Sequence, residues 1–152
     1  HEDLWLLLVG DGPDREVLER RSRELRVDHR TIFTGFKAEP VGYLCAMDIF
    51  LLSSHTEGTS MTLLEAMSLG IPAVVTSVGG NVEIVTDGVT GFFAPPKNVQ
   101  KFVESICKLI EDPEIASGMA MRSLNEFSAR FSIEKMANTY QRTYCSLLTE
   151  IC

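Results

Sequence analysis

The chain has 152 residues, 45% hydrophobic and 23% charged, the make-up of one ordinary globular domain. Its net charge of −7 argues against general affinity for nucleic acid or anionic membranes, although a local basic patch is still allowed. No apolar run approaches the roughly 18 residues that span a bilayer, and no signal-peptide pattern is present. The cysteines, Cys45, Cys107, Cys145 and Cys152, are scattered without Cys-x-x-Cys spacing or nearby histidine pairs. They read as free thiols of a reducing compartment rather than as metal or redox ligands.

In chain order, Leu4 to Val9 is a continuous apolar run ending in Gly10-Asp11-Gly12-Pro13. It predicts a strand buried on both faces, as in a parallel sheet. The chain opens inside this apparent first strand and so reads as a fragment. Residues 14 to 25 predict an amphipathic helix carrying Val17, Leu18 and Leu25 among many charges. Thr31 to Thr34 is a short strand closed by Gly35-Phe36. Residues 40 to 47 suit a short helix, and Ile49 to Leu52 a third strand.

Next comes a polar loop with Glu57-Gly58, then hydroxyl residues, then a helical segment to Leu69 ended by Gly70. Either Thr59 or Ser60 can cap that helix. Its first N–H groups and dipole favour an anion, and Gly58 lets the backbone approach a ligand closely. Glu57 sits in the loop and Glu65 more than a turn along the helix. The two carboxylates therefore read as clamps on different parts of one long anionic ligand, not as a pair on one bond. Ala73 to Thr76 is the fourth strand, closed by Val78-Gly79-Gly80, and residues 81 to 85 make a short helix. Asp87-Gly88 is a turn and Gly91 to Ala94 the last strand. Helices follow over residues 99–111, 113 to about 127, and 132–151.

Strands alternating with helices predict an α/β fold, a Rossmann-like parallel sheet with helices on both faces and a helical C-terminal segment. Ligands of such sheets sit at the carboxyl ends of the strands. Four glycine-bearing loops follow strands, at Gly10-Asp11-Gly12, Gly35-Phe36, Glu57-Gly58 and Gly79-Gly80, and the right-handed crossover rule puts them on one edge. Singly, each glycine is explained by a tight turn; together they predict a cleft. A dinucleotide fingerprint would need a glycine where Arg15 stands, and Pro13 removes a donor. No Asp-x-Asp pair occurs, so nothing marks a metal on a diphosphate, and no metal or cofactor is expected. His29 and His55 are isolated. Asp11 either binds a ligand hydroxyl or caps the following helix.

Glu57, seven intervening residues, then Glu65-Ala66-Met67 and Gly70-Ile71-Pro72-Ala73-Val74 resemble the Glu-x7-Glu block of retaining glycosyltransferases of the glycogen-synthase-like family four. Val9 to Pro13 looks like that family's glycine loop, and Phe33 to Phe36 like its second strand end. Residues 78–85 and 87–92 look like its Gly-Gly and turn segments. The resemblance covers nearly the whole chain. It implies the GT-B architecture, two Rossmann-like domains across a cleft, with this chain as the C-terminal, donor-binding one. It implies that Glu57 bonds the donor sugar as the catalytic carboxylate and that Glu65 holds the ribose hydroxyls. Gly58, Thr59, Ser60, Met61 and Thr62 would offer amides to sugar and diphosphate. Gly10, Asp11 and Gly12 would line the donor site, and Gly35-Phe36 would border the base.

The sequence departs from the family in carrying Thr59-Ser60 where an aromatic-Gly pair is usual. A basic strand that neutralises the diphosphate and the acceptor domain are expected to precede this segment. The expected function is transfer of a sugar from a nucleotide diphosphate sugar to an acceptor hydroxyl. Binding should be weak and turnover absent in the chain alone. The alternatives are a nucleotide-sugar epimerase on the same architecture and a degenerate binding module without turnover. The expected location is cytoplasmic, peripheral to a membrane at most. Ile133, Met136, Ala137, Tyr140, Tyr144, Leu147, Leu148 and Ile151 form a stripe along the last helix, which predicts self-association. The competing expectation is a helix packed wholly on its own domain.

Overall fold

The computed structural model describes residues 3–149. The chain divides into two compact units, His1–Met47 and Asp48–Cys152. In the first, β1 (Leu6–Leu8), α1 (Arg15–Glu24), a 3-10 turn (Asp28–Arg30), β2 (Thr31–Phe33) and α2 (Val41–Leu44) follow in order. β1 and β2 pair in parallel, Leu6 opposite Thr31 and Leu8 opposite Phe33. The apolar run was expected to be buried on both faces, and it is not. Leu4, Trp5 and Leu6 are exposed, and only three residues of the run form ladder. Val17, Leu18 and Leu25 are exposed as well, whereas Ser22 is the buried residue of α1. The reason is dimensional. Two strands of three residues offer a platform roughly 10 Å long and 5 Å wide, while a ten-residue helix is roughly 15 Å long. The platform is too small to cover the apolar side of α1.

The second unit runs β3 (Phe50–Leu52), α3 (Met61–Ser68), β4 (Ala73–Thr76), α4 (Asn81–Ile84), β5 (Gly91–Ala94), α5 (Val99–Glu111), α6 (Pro113–Arg130) and α7 (Ile133–Thr149). Its strands form a parallel sheet in the order β3-β4-β5, with Phe50 opposite Ala73 and Ala73 opposite Gly91. β4 is buried along its whole length, as a central parallel strand flanked by helices should be. α5 packs on β4 and β5, and α3 on β3, β4 and α6. Val74, Leu109 and Met119 form a buried cluster, with Phe92, Phe102 and Ile106 packed against it.

Local chemistry sets the boundaries of these helices. α3 ends at Gly70, whose φ of 66° only glycine adopts easily, while the Ile71 amide returns to the Ala66 carbonyl at 3.0 Å. Asn98 caps α5 by accepting from the Lys101 amide at 3.0 Å. Asp112 caps α6 by accepting from Glu114 and Ile115, and Pro113 fills the first helical position. From Ile133 to Leu148 every residue of α7 is exposed, so this helix is not packed wholly on its own domain. Ile151 of the expected stripe lies outside the described residues. Among the described residues no helix is long and apolar enough to cross a membrane.

Candidate functional site

β3 delivers the chain into a loop that ends at Ser60, the cap of α3. The Ser60 hydroxyl accepts from the Leu63 amide at 3.3 Å, so the cap is Ser60 and not Thr59. That bond uses the hydroxyl of one of the two residues that depart from the family's aromatic-Gly pair. The amides of Gly58, Thr59, Met61 and Thr62 meet no acceptor among the described residues. Free amides at the positive end of an eight-residue helix suit an anion. A Cβ built on Gly58 would meet nothing within 4 Å, so the space beside this peptide is open.

The two carboxylates are placed differently. Glu57 is half-buried, and its side chain has no hydrogen bond or ion pair with a described residue. Glu65, on α3, has one carboxylate oxygen, Oε2, buried without a partner. A buried carboxylate oxygen left unpaired costs stability, and a ligand hydroxyl is one donor that would remove that cost. His55 is exposed.

The turn between β4 and α4 lies directly against the Glu57 loop. The Gly80 amide donates to the Gly58 carbonyl at 3.0 Å. A Cβ on Gly79 would stand 1.7 Å from the Glu57 carbonyl oxygen, and one on Gly80 2.3 Å from that of Gly58. Glycine is required at both positions by close approach, and at Gly79 also by a φ of 48°. The Thr76 hydroxyl donates to the Ser54 carbonyl at 2.7 Å, and Asn81 Nδ2 donates to the Thr76 carbonyl at 3.0 Å. Thr76 and Asn81 were not singled out from the sequence. A threonine closing an apolar strand, and an asparagine directly after the Gly-Gly pair of a segment that resembles the family's, are the signals that could have found them.

In the first unit, the loop after β1 meets the turn after β2. The Gly10 amide donates to the Gly35 carbonyl at 3.1 Å. Gly10 and Gly35 have φ of 135° and 71°. Asp11 does not cap α1. Its Oδ1 accepts from the Gly12 amide at 2.9 Å, and its Oδ2 lies 3.4 Å from the Arg15 guanidinium. Arg15 also binds Glu19 at 2.9 Å; chiefly through that bond its guanidinium is held still more firmly protonated. Gly10, Asp11, Gly12, Arg15, Leu18 and Phe33 line a shallow depression here. Phe36 is 78% exposed.

A parallel α/β unit with a strand-end loop, a capped helix with free first amides and a carboxylate at each place is an arrangement whose chemistry suits a phosphate-bearing ligand. The family model of the glycosyl transferases group 1 matches residues 1–124, and the chain belongs to that family. It is 33% identical over 149 residues to N-acetyl-alpha-D-glucosaminyl L-malate synthase of Bacillus anthracis, covering 97% of this chain and 39% of that protein. The crystal structure of Anabaena HepE in complex with UDP matches with a TM-score of 0.88 at 28% identity, over 94% of this chain and 41% of that one. A second HepE structure, in complex with UDP-glucose, matches at 0.85 and 28% identity, over 93% and 41%. The C-terminal domain of LpcC, a glycosyl transferase group 1 family protein of Francisella tularensis, matches at 0.79 and 26% identity, over 88% of this chain and 72% of that one. The chain spans well under half the length of the curated relatives it matches.

Proposed function

We propose that these residues form the donor-binding part of a retaining glycosyltransferase of GT-B architecture. The whole protein would transfer a hexosyl group from a nucleotide diphosphate sugar to an acceptor hydroxyl held by another domain. The observation that carries this reading is the Glu65 Oε2 atom, buried and unpartnered on a helix whose leading amides are also free. A ribose hydroxyl supplies the donor that Glu65 lacks, and a diphosphate supplies the acceptors that the amides lack. Glu57, the unpaired carboxylate of the loop, takes the sugar hydroxyls. Family membership and the UDP and UDP-glucose bound to HepE support the same ligand class.

Catalysis in this reading is positioning plus stabilisation of charge on the leaving diphosphate by the α3 amides. No metal is assigned to it, since the sequence has no Asp-x-Asp pair. Gly10, Asp11, Gly12, Gly35 and Phe36 are assigned to donor binding on the resemblance alone. Free thiols at Cys45 and Cys107 support a reducing, cytoplasmic location. One observation favours a second reading, a binding module without turnover: Thr59-Ser60 alters the loop that would enclose the sugar, and Ser60 is committed to capping α3. Calorimetric titration with UDP, GDP and ADP and then their glucose derivatives tests the proposal. One nucleotide series should bind, and the absence of heat from all six ligands would reject it. Transfer of sugar to an acceptor by the whole protein separates the enzyme from the module.

A further inference from the structure

The Glu57 carboxylate makes no hydrogen bond or ion pair with a described residue, yet the main chain around it is fixed at three points by the end of β4 and the turn that follows. Thr76 Oγ1 donates to the Ser54 carbonyl at 2.7 Å, ahead of Glu57. Gly79 leaves the gap into which the Glu57 carbonyl fits. The Gly80 amide donates to the Gly58 carbonyl at 3.0 Å, just past Glu57. Behind these contacts stands Asn81, fully buried, whose Nδ2 holds the Thr76 carbonyl at 3.0 Å. Its Oδ1 is buried without a donor. An orphaned acceptor in a core lowers stability, and an apolar residue there would remove the penalty. Its presence is explained when the amide's other end has work to do at Thr76.

We propose that Thr76, Gly79, Gly80 and Asn81 are positioning residues that aim Glu57 at the sugar of the donor by fixing residues 54–58. Thr76 and Asn81 are buried and act only through the loop. The inference rests on the donor-binding reading of Glu57, but the ordering of the loop can be measured without any ligand. It also assigns the discrimination between nucleotide and nucleotide sugar to a turn that carries no charged side chain among its four residues.

The test compares the full chain with Thr76→Val, which keeps the shape and loses the hydroxyl, and Thr76→Ser, which keeps the hydroxyl. UDP and UDP-glucose are the titrants, and amide hydrogen exchange over residues 54–58 is the ligand-free readout. Thr76→Val should weaken UDP-glucose at least fivefold, change UDP less than twofold and raise loop exchange at least tenfold. Thr76→Ser should restore all three to near the parent values. Equal loss of both ligands, or failure of serine to rescue, would reduce Thr76 to a stability residue and overturn the proposal. Faster exchange with an unchanged ratio of affinities would overturn it too, because the loop would then move without re-aiming Glu57. If the parent chain binds neither titrant, the donor reading fails. Exchange alone then decides whether the turn orders the loop, and an unchanged rate overturns that.

Discussion

Two pairs of strand-end turns carry glycine in this molecule, and they use it for different reasons. After β4, Gly79 and Gly80 stand where a side chain would collide with the backbone of Glu57 and Gly58, in the loop after β3. After β1, a Cβ on Gly10 or Gly12 would meet nothing within 4 Å, and after β2 one on Gly35 would meet only side-chain ends, Arg15 Nη1 at 3.2 Å and Asp11 Oδ2 at 3.6 Å. Gly10 is needed there only for its φ of 135°. The carboxylates differ in the same way. Asp11 is engaged by Arg15 and the Gly12 amide, while Glu57 and Glu65 keep unpaired oxygens. Close packing of two loops next to carboxylates left without partners is the feature on which the proposed site rests. The turn at Gly10 and Gly12 has no such feature, and its assignment to donor binding rests on the resemblance alone.

Substitutions sharpen that contrast. Gly79→Ala should have the largest effect. It drives a methyl into the Glu57 peptide at a positive φ and should cost roughly 3 kcal/mol or more in urea unfolding. A cost below about 1 kcal/mol would show that the two loops are not locked. Gly10→Ala carries only the backbone penalty, about 1–2 kcal/mol by the same measurement. Gly12→Ala should change stability by less than about 1 kcal/mol in either direction, since the position is open and has no positive φ. Smallest of all is the effect expected on α7, whose Tyr140 and Leu147 are 58% and 50% exposed. Tyr140→Ser with Leu147→Ser should alter stability by less than about 0.5 kcal/mol per residue. The same pair should lower the apparent mass of the parent chain in light scattering, because a stripe this exposed favours self-association. A parent chain that is monomeric at high concentration would remove that expectation.

Much of this was legible in the residues. The spans of β4, β5 and α5 follow from apolar periodicity bounded by caps, and α5 runs over residues 99–111 as expected. Glu57, Gly58 and Glu65 were visible as a spaced pattern. What sequence could not show is which polar atoms end up alone. That Glu65 Oε2 is buried and Asp11 is engaged depends on packing around each carboxylate, which no spacing rule encodes. Nor could it show that Gly79 meets Glu57, a contact across 22 positions fixed by β4 pairing with β3. The exposure of Leu6 and Leu18 escaped for the opposite reason. Periodicity reports which face is apolar, not whether the neighbouring platform is large enough to cover it.

The central claim is that two unpaired carboxylates hold two parts of one nucleotide sugar, and one calorimetric matrix tests it. Glu57→Ala and Glu65→Ala are each titrated with UDP and UDP-glucose beside the parent chain. A hydrogen bond to a charged group contributes about 1.5–3 kcal/mol, or about ten- to a hundredfold in affinity. Glu65→Ala should weaken both ligands by that factor, and Glu57→Ala should weaken UDP-glucose alone. Equal weakening of bare UDP by both substitutions, or by neither, would contradict the division of roles.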